Sequence, residues 1–336
     1  MTEAGQRPSP LALWVGAARL KTLPAAAAPV VLGTAFAAGD GAFHGAAALC
    51  ALVSALLIQV GTNYANDAED AVRGADTAER VGPKRAVNEG WVTAGQMRRA
   101  AAVAFGLAFL VGLYLVWRGG PPVLALGLVA IASGYAYTKG RYALAYTGLA
   151  DLFVLVFFGP VAVGGTYFVQ ALALPAWVLV AGLGPGALAT AILIANNVRD
   201  VEQDRAADKR TLVVRFGRPF GIGLYTMCFI LAGSVVQPAR QMWRYGLSHE
   251  RSGVLQRLQQ VADPRAALDS LRAHPLPDVT AHAGALVAAV VAFGAMAILG
   301  PALNRAHGAA AGPILGKTAA VLMAYSLAFA LGWWLT

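Results

Sequence analysis

Residues 175–205 read PAWVLVAGLGPGALATAILIANNVRDVEQDR, and this stretch decides the fold. From 175 to 197 it carries no charge, and at about 1.5 Å per helical residue such a run crosses a hydrocarbon core of roughly 30 Å. The polarity then changes abruptly at Asn196, Asn197, Arg199, Asp200, Glu202, Asp204 and Arg205. Asn196, Asp200 and Asp204 recur every four residues, so on a helix they share one face. The expectation is a membrane-spanning helix whose end presents a row of oxygen ligands.

Outward from this stretch the same construction repeats. The chain has 336 residues, of which 58% are hydrophobic and 13% charged, too apolar for a water-soluble domain of that length. Nine spans are expected, at about 22–39, 42–62, 99–117, 121–138, 145–169, 175–197, 219–236, 281–302 and 312–335. Backbone groups in lipid must bond within their own segment, so the spans are helices, and alternating ten-residue strands for a β-barrel are missing. The fold class is therefore all-α: a polytopic membrane protein of about nine transmembrane helices forming one domain over 1–336. A polar insertion at about 237–280 separates the seventh and eighth helices.

Most of the 26 Lys and Arg residues fall in segments that share a side with the N-terminus, which puts the 61–85 and 196–211 loops on the cytoplasmic face. The net charge of +9 is spread over these loops, and this topology accounts for it without nucleic acid. Cys50 and Cys228 lie in separate spans and offer neither a disulfide framework nor a metal motif. Arg19 and Lys21 precede the first apolar run, but the polar lead is long for a signal peptide, and the run reads as an uncleaved first helix.

The second polar stretch begins at Gly61 and contains Asn63, Asn66, Asp67, Glu69, Asp70, Arg73, Asp76, Glu79, Arg80, Lys84 and Arg85. Asn66 and Asp70 are again four apart. Four spans separate the two loops, so both return to one membrane face and their acids can meet. Hard oxygen ligands of this kind suit Mg²⁺, which takes one or two protein carboxylates and completes its shell with phosphate oxygens and water. Arg73, Arg80, Lys84 and Arg85 in one loop, with Arg199, Lys209 and Arg210 in the other, can hold a diphosphate. Charged loops beside spans are ordinarily solvated topology determinants; two loops with matched Asn/Asp spacing on one face point beyond that. At the end of the fourth span, Tyr135 and Lys139 are one turn apart, suited to a cation and a phosphate, or to an interfacial aromatic belt with a positive flank.

At these residues the chain resembles the UbiA superfamily of intramembrane aromatic prenyltransferases. Asn66/Asp70, Tyr135/Lys139 and Asp200/Asp204 stand where that family carries its Asn-x-x-x-Asp, Tyr-x-x-x-Lys and Asp-x-x-x-Asp motifs. Residues 74–87 and 157–167 are most similar to the branch that prenylates 1,4-dihydroxy-2-naphthoate in menaquinone biosynthesis. The resemblance implies a helical bundle around a central cavity in the bacterial inner membrane. It also implies transfer of a polyprenyl chain from polyprenyl diphosphate to 1,4-dihydroxy-2-naphthoate, with loss of CO₂ and diphosphate. On the same grounds Asn66, Asp67, Asp70, Asp76, Asp200 and Asp204 would hold Mg²⁺, with Asn196 and Asn197 beside them. Asp70, Asp200, Asp204, Lys139 and Tyr135 would be catalytic. Tyr137 and Tyr146 would line the acceptor pocket or face the cation.

Two departures stand out. The family's third acid, four after Asp70, is Gly74 here, with Asp76 the nearest substitute, and Asp208 replaces the Gly expected before Lys-Arg-Thr. No nucleophile motif, P-loop or dinucleotide fingerprint is present, and His44, His249, His274, His282 and His307 lack metal-ligand spacing. Other acceptors, such as 4-hydroxybenzoate or homogentisate, and an ion-coupled transporter with acids near the bilayer midplane are the competing expectations.

Overall fold

Eight helices long and apolar enough to cross a membrane fold from these runs in a computed structural model of the chain, in which residues 8–72, 85–137, 143–246 and 283–334 are described. A ninth apolar helix, Pro121–Ala136, is shorter. In chain order the elements are α1 (Pro10–Ala18), α2 (Leu23–Gly39), α3 (Gly45–Val72), α4 (Ala94–Gly119), α5 (Pro121–Ala136), α6 (Leu144–Thr147), α7 (Ala150–Val156) and α8 (Ala162–Ala171). They continue with α9 (Ala176–Arg199), α10 (Val201–Ala206), α11 (Leu212–Phe216), α12 (Arg218–Ser234), α13 (Val287–Arg305) and α14 (Gly312–Trp334).

Helix ends follow local chemistry. Thr93 caps α4 through a reciprocal capping box with Gln96. Gly120, at φ 75°, turns the chain into Pro121, whose missing N–H costs nothing at the first helical position. The polar N-terminal lead differs from expectation: it forms α1, which ends at Arg19 in the left-handed region (φ 52°). Tyr64 donates to the Trp14 carbonyl at 3.1 Å and Asn63 to the Ala18 carbonyl at 2.8 Å, so α1 lies across the end of α3. The seventh span also runs on past 236, to Gly246, into the segment assigned to the insertion. Trp243 there packs on Trp333 at 5.5 Å and donates to Asp40 at 3.2 Å. The rest of that insertion lies outside the described residues.

Two packing regions frame the interior. One core gathers α2, α9, α12, α13 and α14, anchored by Phe36, Trp177, Phe329 and Trp333, with Trp177 stacked on Trp333 at 4.6 Å. A smaller one joins α3 to α4. Between them α7 and α8 are joined by an irregular π turn at Phe157–Val161, where Gly159 leaves helical geometry and Pro160 supplies no N–H. That turn sits directly on Gly182 and Gly186 of α9. A Cβ on Gly182 would lie 2.8 Å from the Pro160 Cα, and one on Gly186 would collide with the Leu155 carbonyl. Small residues let helix backbones meet where lipid offers no hydrophobic drive.

Gly186→Ala is therefore expected to force α7 away from α9 at a cost of about 1–3 kcal/mol. The measurement is thermal unfolding in detergent: a lowered midpoint is expected, and an unchanged one would show that the two backbones do not touch.

Candidate active site

The last three turns of α3 carry five buried polar side chains, Asn63, Asn66, Asp67, Glu69 and Asp70, and helical geometry divides them. Asn66 and Asp70 line the central cavity. Glu69 points to α4 and pairs with Arg98 at 2.7 Å. Asp67 points to the returning chain, where its Oδ2 accepts the Ala86 N–H at 3.2 Å, and it is not part of the cavity wall. The apolar length of α3 thus delivers Asn66 and Asp70, with Asn63 one turn before them, to the cavity and uses Asp67 and Glu69 to fasten its own end.

The second row behaves differently from a single helix. α9 stops at Arg199 and α10 restarts at Val201, with Asp200 at the junction (φ −100°, ψ 13°). The four-residue step nevertheless survives, because the Asp200 N–H reaches the Asn196 carbonyl at 3.0 Å and the Asp204 N–H reaches the Asp200 carbonyl at 2.8 Å. Asn196, Asn197, Asp200, Gln203 and Asp204 consequently all line the cavity. α10 closes with the Lys209 N–H on the Asp204 carbonyl at 2.8 Å and the Asp208 N–H on the Arg205 carbonyl at 3.2 Å. This is a Schellman motif with Asp208 at the left-handed position, φ 51°. The expected Gly would occupy that position without strain, and Asp is among the few residues that tolerate it. Asp208 itself is exposed and pairs with Arg210 at 3.5 Å.

The reversal brings Lys209 back over the acids. Its Nζ lies 3.7 Å from Asp70 Oδ1 and 3.8 Å from Asp204 Oδ1, and 5.3 Å from the centre of the Tyr146 ring. Tyr146 donates to Asp70 Oδ1 at 3.4 Å, and Arg85 pairs with Asp70 Oδ2 at 2.9 Å. Arg199 holds both oxygens of Asp200, at 2.6 and 2.5 Å, and Asn196 Oδ1 at 2.7 Å. Burial pushes the Asp204 carboxyl up to about 7, and the nearby Asp200 and Asp70 add to the rise while Lys209 and Arg199 oppose it. Three cations, Arg85, Arg199 and Lys209, thus stand against the three acids Asp70, Asp200 and Asp204.

Of the residues singled out in the sequence, Asn66, Asp70, Arg85, Tyr137, Asn196, Asn197, Asp200, Asp204 and Lys209 line one cavity of about 850 Å³, within the range of small-molecule sites. Tyr146 touches it through Asp70 and Lys209. Tyr135, Arg199 and Arg210 are not among the lining residues, and Tyr135 and Arg210 are exposed. Arg73, Asp76, Arg80, Lys84 and Lys139 lie outside the described residues. Arg19, Gln59, Asn63, Gln203, Thr211 and Asp151 line the cavity too, unforeseen from the sequence. Asp151 left a signal, since an acid inside an apolar span is itself a functional marker; Arg19 left none, because only the turn after α1 brings it inward.

Among the described residues no three His, Cys, Asp or Glu side chains converge to hold a metal by themselves. The donors that do face each other are Asp and Asn oxygens from two helices, with cations between them. That set suits a hard ion that arrives with phosphate oxygens and keeps part of its water shell.

Residues 26–248 match the UbiA prenyltransferase family. The chain is 44% identical over 223 residues to a 1,4-dihydroxy-2-naphthoate octaprenyltransferase of Mycobacterium tuberculosis, covering 66% of this chain and 76% of that one. It is 40% identical over 242 residues to the protein of the same name from Escherichia coli, covering 70% and 77%. A UbiA homologue from Archaeoglobus fulgidus bound to DMAPP and Mg²⁺ shares the fold, with a TM-score of 0.56 over 94% of this chain and 98% of that one at 13% identity. Two rows of Asn and Asp at the ends of two membrane helices, facing one apolar cavity, agree with that match: the chain belongs to the UbiA prenyltransferase family.

Proposed function

We propose that the chain transfers a polyprenyl group from polyprenyl diphosphate to 1,4-dihydroxy-2-naphthoate, releasing CO₂ and diphosphate and forming a demethylmenaquinone. The observation that carries this reading is the polarity of the cavity. One end gathers Asn66, Asp70, Asn196, Asp200, Asp204, Arg85 and Lys209, while the rest is walled by residues such as Val30, Leu126, Phe153, Phe157 and Ile192. A diphosphate with a long hydrocarbon tail has that same division. The acceptor follows from the two relatives that carry its name at 44% and 40% identity.

Asn66, Asp70, Asp200 and Asp204 would hold Mg²⁺. Bound there, it would supply Lewis acidity that favours departure of the diphosphate. Arg85 and Lys209 are parked on Asp70 and Asp204 at 2.9 to 3.8 Å, and on arrival of the diphosphate they turn from carboxylate to phosphate oxygen. Arg73, Arg80, Lys84 and Lys139 join them on sequence grounds. The apolar walls keep water from the allylic cation, whose hydrolysis would waste the donor, and the Tyr137 ring faces the same space. The active site opens to the cytoplasm across the bacterial inner membrane, supported by the distribution of Lys and Arg between the spans.

With purified protein in detergent, 1,4-dihydroxy-2-naphthoate, a long-chain prenyl diphosphate and Mg²⁺, a decarboxylated prenyl product is expected, abolished by chelation. Asp70→Asn with Asp200→Asn should lower turnover at least about a hundredfold. Turnover of 4-hydroxybenzoate or homogentisate in place of the naphthoate would keep the family and refute the acceptor.

Metal binding must displace the proton that burial favours on Asp204, so Mg²⁺ affinity falls as pH drops through about 7. If that one proton dominates, apparent affinity weakens about tenfold per pH unit below this point. Titration calorimetry with Mg²⁺ and an unreactive prenyl diphosphate analogue at pH 6 and 8 checks it; equal affinities would place the acid elsewhere.

A further inference from the structure

Asp151 is a buried acid that the diphosphate site does not use. It sits in the first turn of α7, 5% exposed, on the wall of the same cavity. Asp70, Asp200 and Asp204 each have a cation within 4 Å. Asp151 has no ion pair among the described residues, and its Oδ1 has no hydrogen-bond partner. A buried carboxylate left this way costs stability and is retained where a ligand completes it.

Its position is rigid. Thr190 donates to the Asp151 carbonyl at 3.4 Å and to the Gly186 carbonyl at 2.9 Å, and the Gly159–Gly186 contact presses α7 onto α9. Phe153 and Phe157, stacked at 4.0 Å, continue the cavity wall from it. Tyr137, Asp70 and Asp204 line the same cavity, so Asp151 shares one space with the diphosphate acids and the stacked rings. A carboxylate there, beside aromatic faces and without a cation, suits a planar ligand that donates an O–H.

We propose that Asp151 is the base for the aromatic acceptor: it accepts the ring hydroxyl ortho to the attacked carbon and removes that proton as the new C–C bond forms. This deepens the prenyl-transfer reading and rests on it. As the O–H bond breaks, its electron pair becomes a carbonyl, and the ring carbon bearing the carboxylate attacks C1 of the allylic group. The allylic C–O pair leaves with the diphosphate. The product of this step is a β-keto acid. Its C–CO₂ bond breaks, the electrons return to the ketone oxygen, and that oxygen recovers the proton from Asp151. The acid ends as a carboxylate, and the products are the prenylated hydroquinone, CO₂ and diphosphate. The charge of Asp151 also turns the acceptor's own carboxylate away, toward the cations at the polar end.

The test compares wild type, Asp151→Asn and Asp151→Glu in detergent, with 1,4-dihydroxy-2-naphthoate and its ether methylated at that hydroxyl. Asp151→Asn should lower kcat about a hundredfold or more, with KM for prenyl diphosphate and Mg²⁺ dependence within about twofold of wild type. Asp151→Glu should restore part of the loss. Wild type should fall with the ether to the level of Asp151→Asn, and the variant should lose nothing more. Turnover of Asp151→Asn within about threefold of wild type overturns the proposal. So does a loss that tracks weaker Mg²⁺ or diphosphate binding, and so does an ether that wild type prenylates normally. If Asp151→Asn does not fold, failure of Asp151→Glu to retain measurable turnover overturns it as well. Wild type silent with the naphthoate but active on another phenol refutes the acceptor alone, and the same variants on that phenol then decide the base.

Discussion

Lys209 stands 3.7 Å from Asp70 and 3.8 Å from Asp204, and the site depends on that bridge. Asp70 lies at the end of α3, whose length is largely apolar, and Asp204 lies in the short helix that follows the apolar α9; an unpartnered carboxylate at such a place is expensive. One shared cation relieves both, drawing the ends of α3 and α10 together from opposite sides of the cavity. Arg85 completes the charge on Asp70 and Arg199 that on Asp200. Burial nevertheless raises the Asp204 carboxyl, because removal from water disfavours its charged form even beside Lys209.

Glycine sets how closely α7 approaches α9. The π turn at Phe157–Val161 is tolerable because Gly159, Gly182 and Gly186 remove side chains where the turn meets α9. α7 therefore lies against α9 rather than a side chain away from it. The same contact brings Asp151, Phe153 and Phe157 to the cavity wall. A feature that reads as a packing device in lipid thus also positions the aromatic side of the pocket.

The two ends of the cavity divide the chemistry. Ionisation of a diphosphate needs charge and a metal; the prenyl cation that results needs walls that exclude water. Polar ligands at the helix ends and apolar residues deeper in the bundle meet both needs within one space of about 850 Å³. The cavity wall carries a carboxylate, Asp151, as well as the cations Arg85 and Lys209.

The periodic features were legible in the sequence: the apolar runs, their lengths, and the four-residue steps Asn66–Asp70 and Asn196–Asp200–Asp204. These depend on neighbours along the chain, so helical geometry and the thickness of lipid determine them. Even the exchange of Gly for Asp208 was visible as a departure, though only its φ of 51° explains what the Gly was for. Tertiary structure alone decided which acids share a cavity. Asp67 and Asp70 are one turn apart, yet the first accepts a backbone N–H from Ala86 and the second faces the cavity. Arg19 and Asp151 reach the same wall from the turn after α1 and the start of α7, by way of backbone contacts between residues far apart in the chain. Burial and partnership are properties of what packs around a side chain, and one-dimensional spacing carries no record of them.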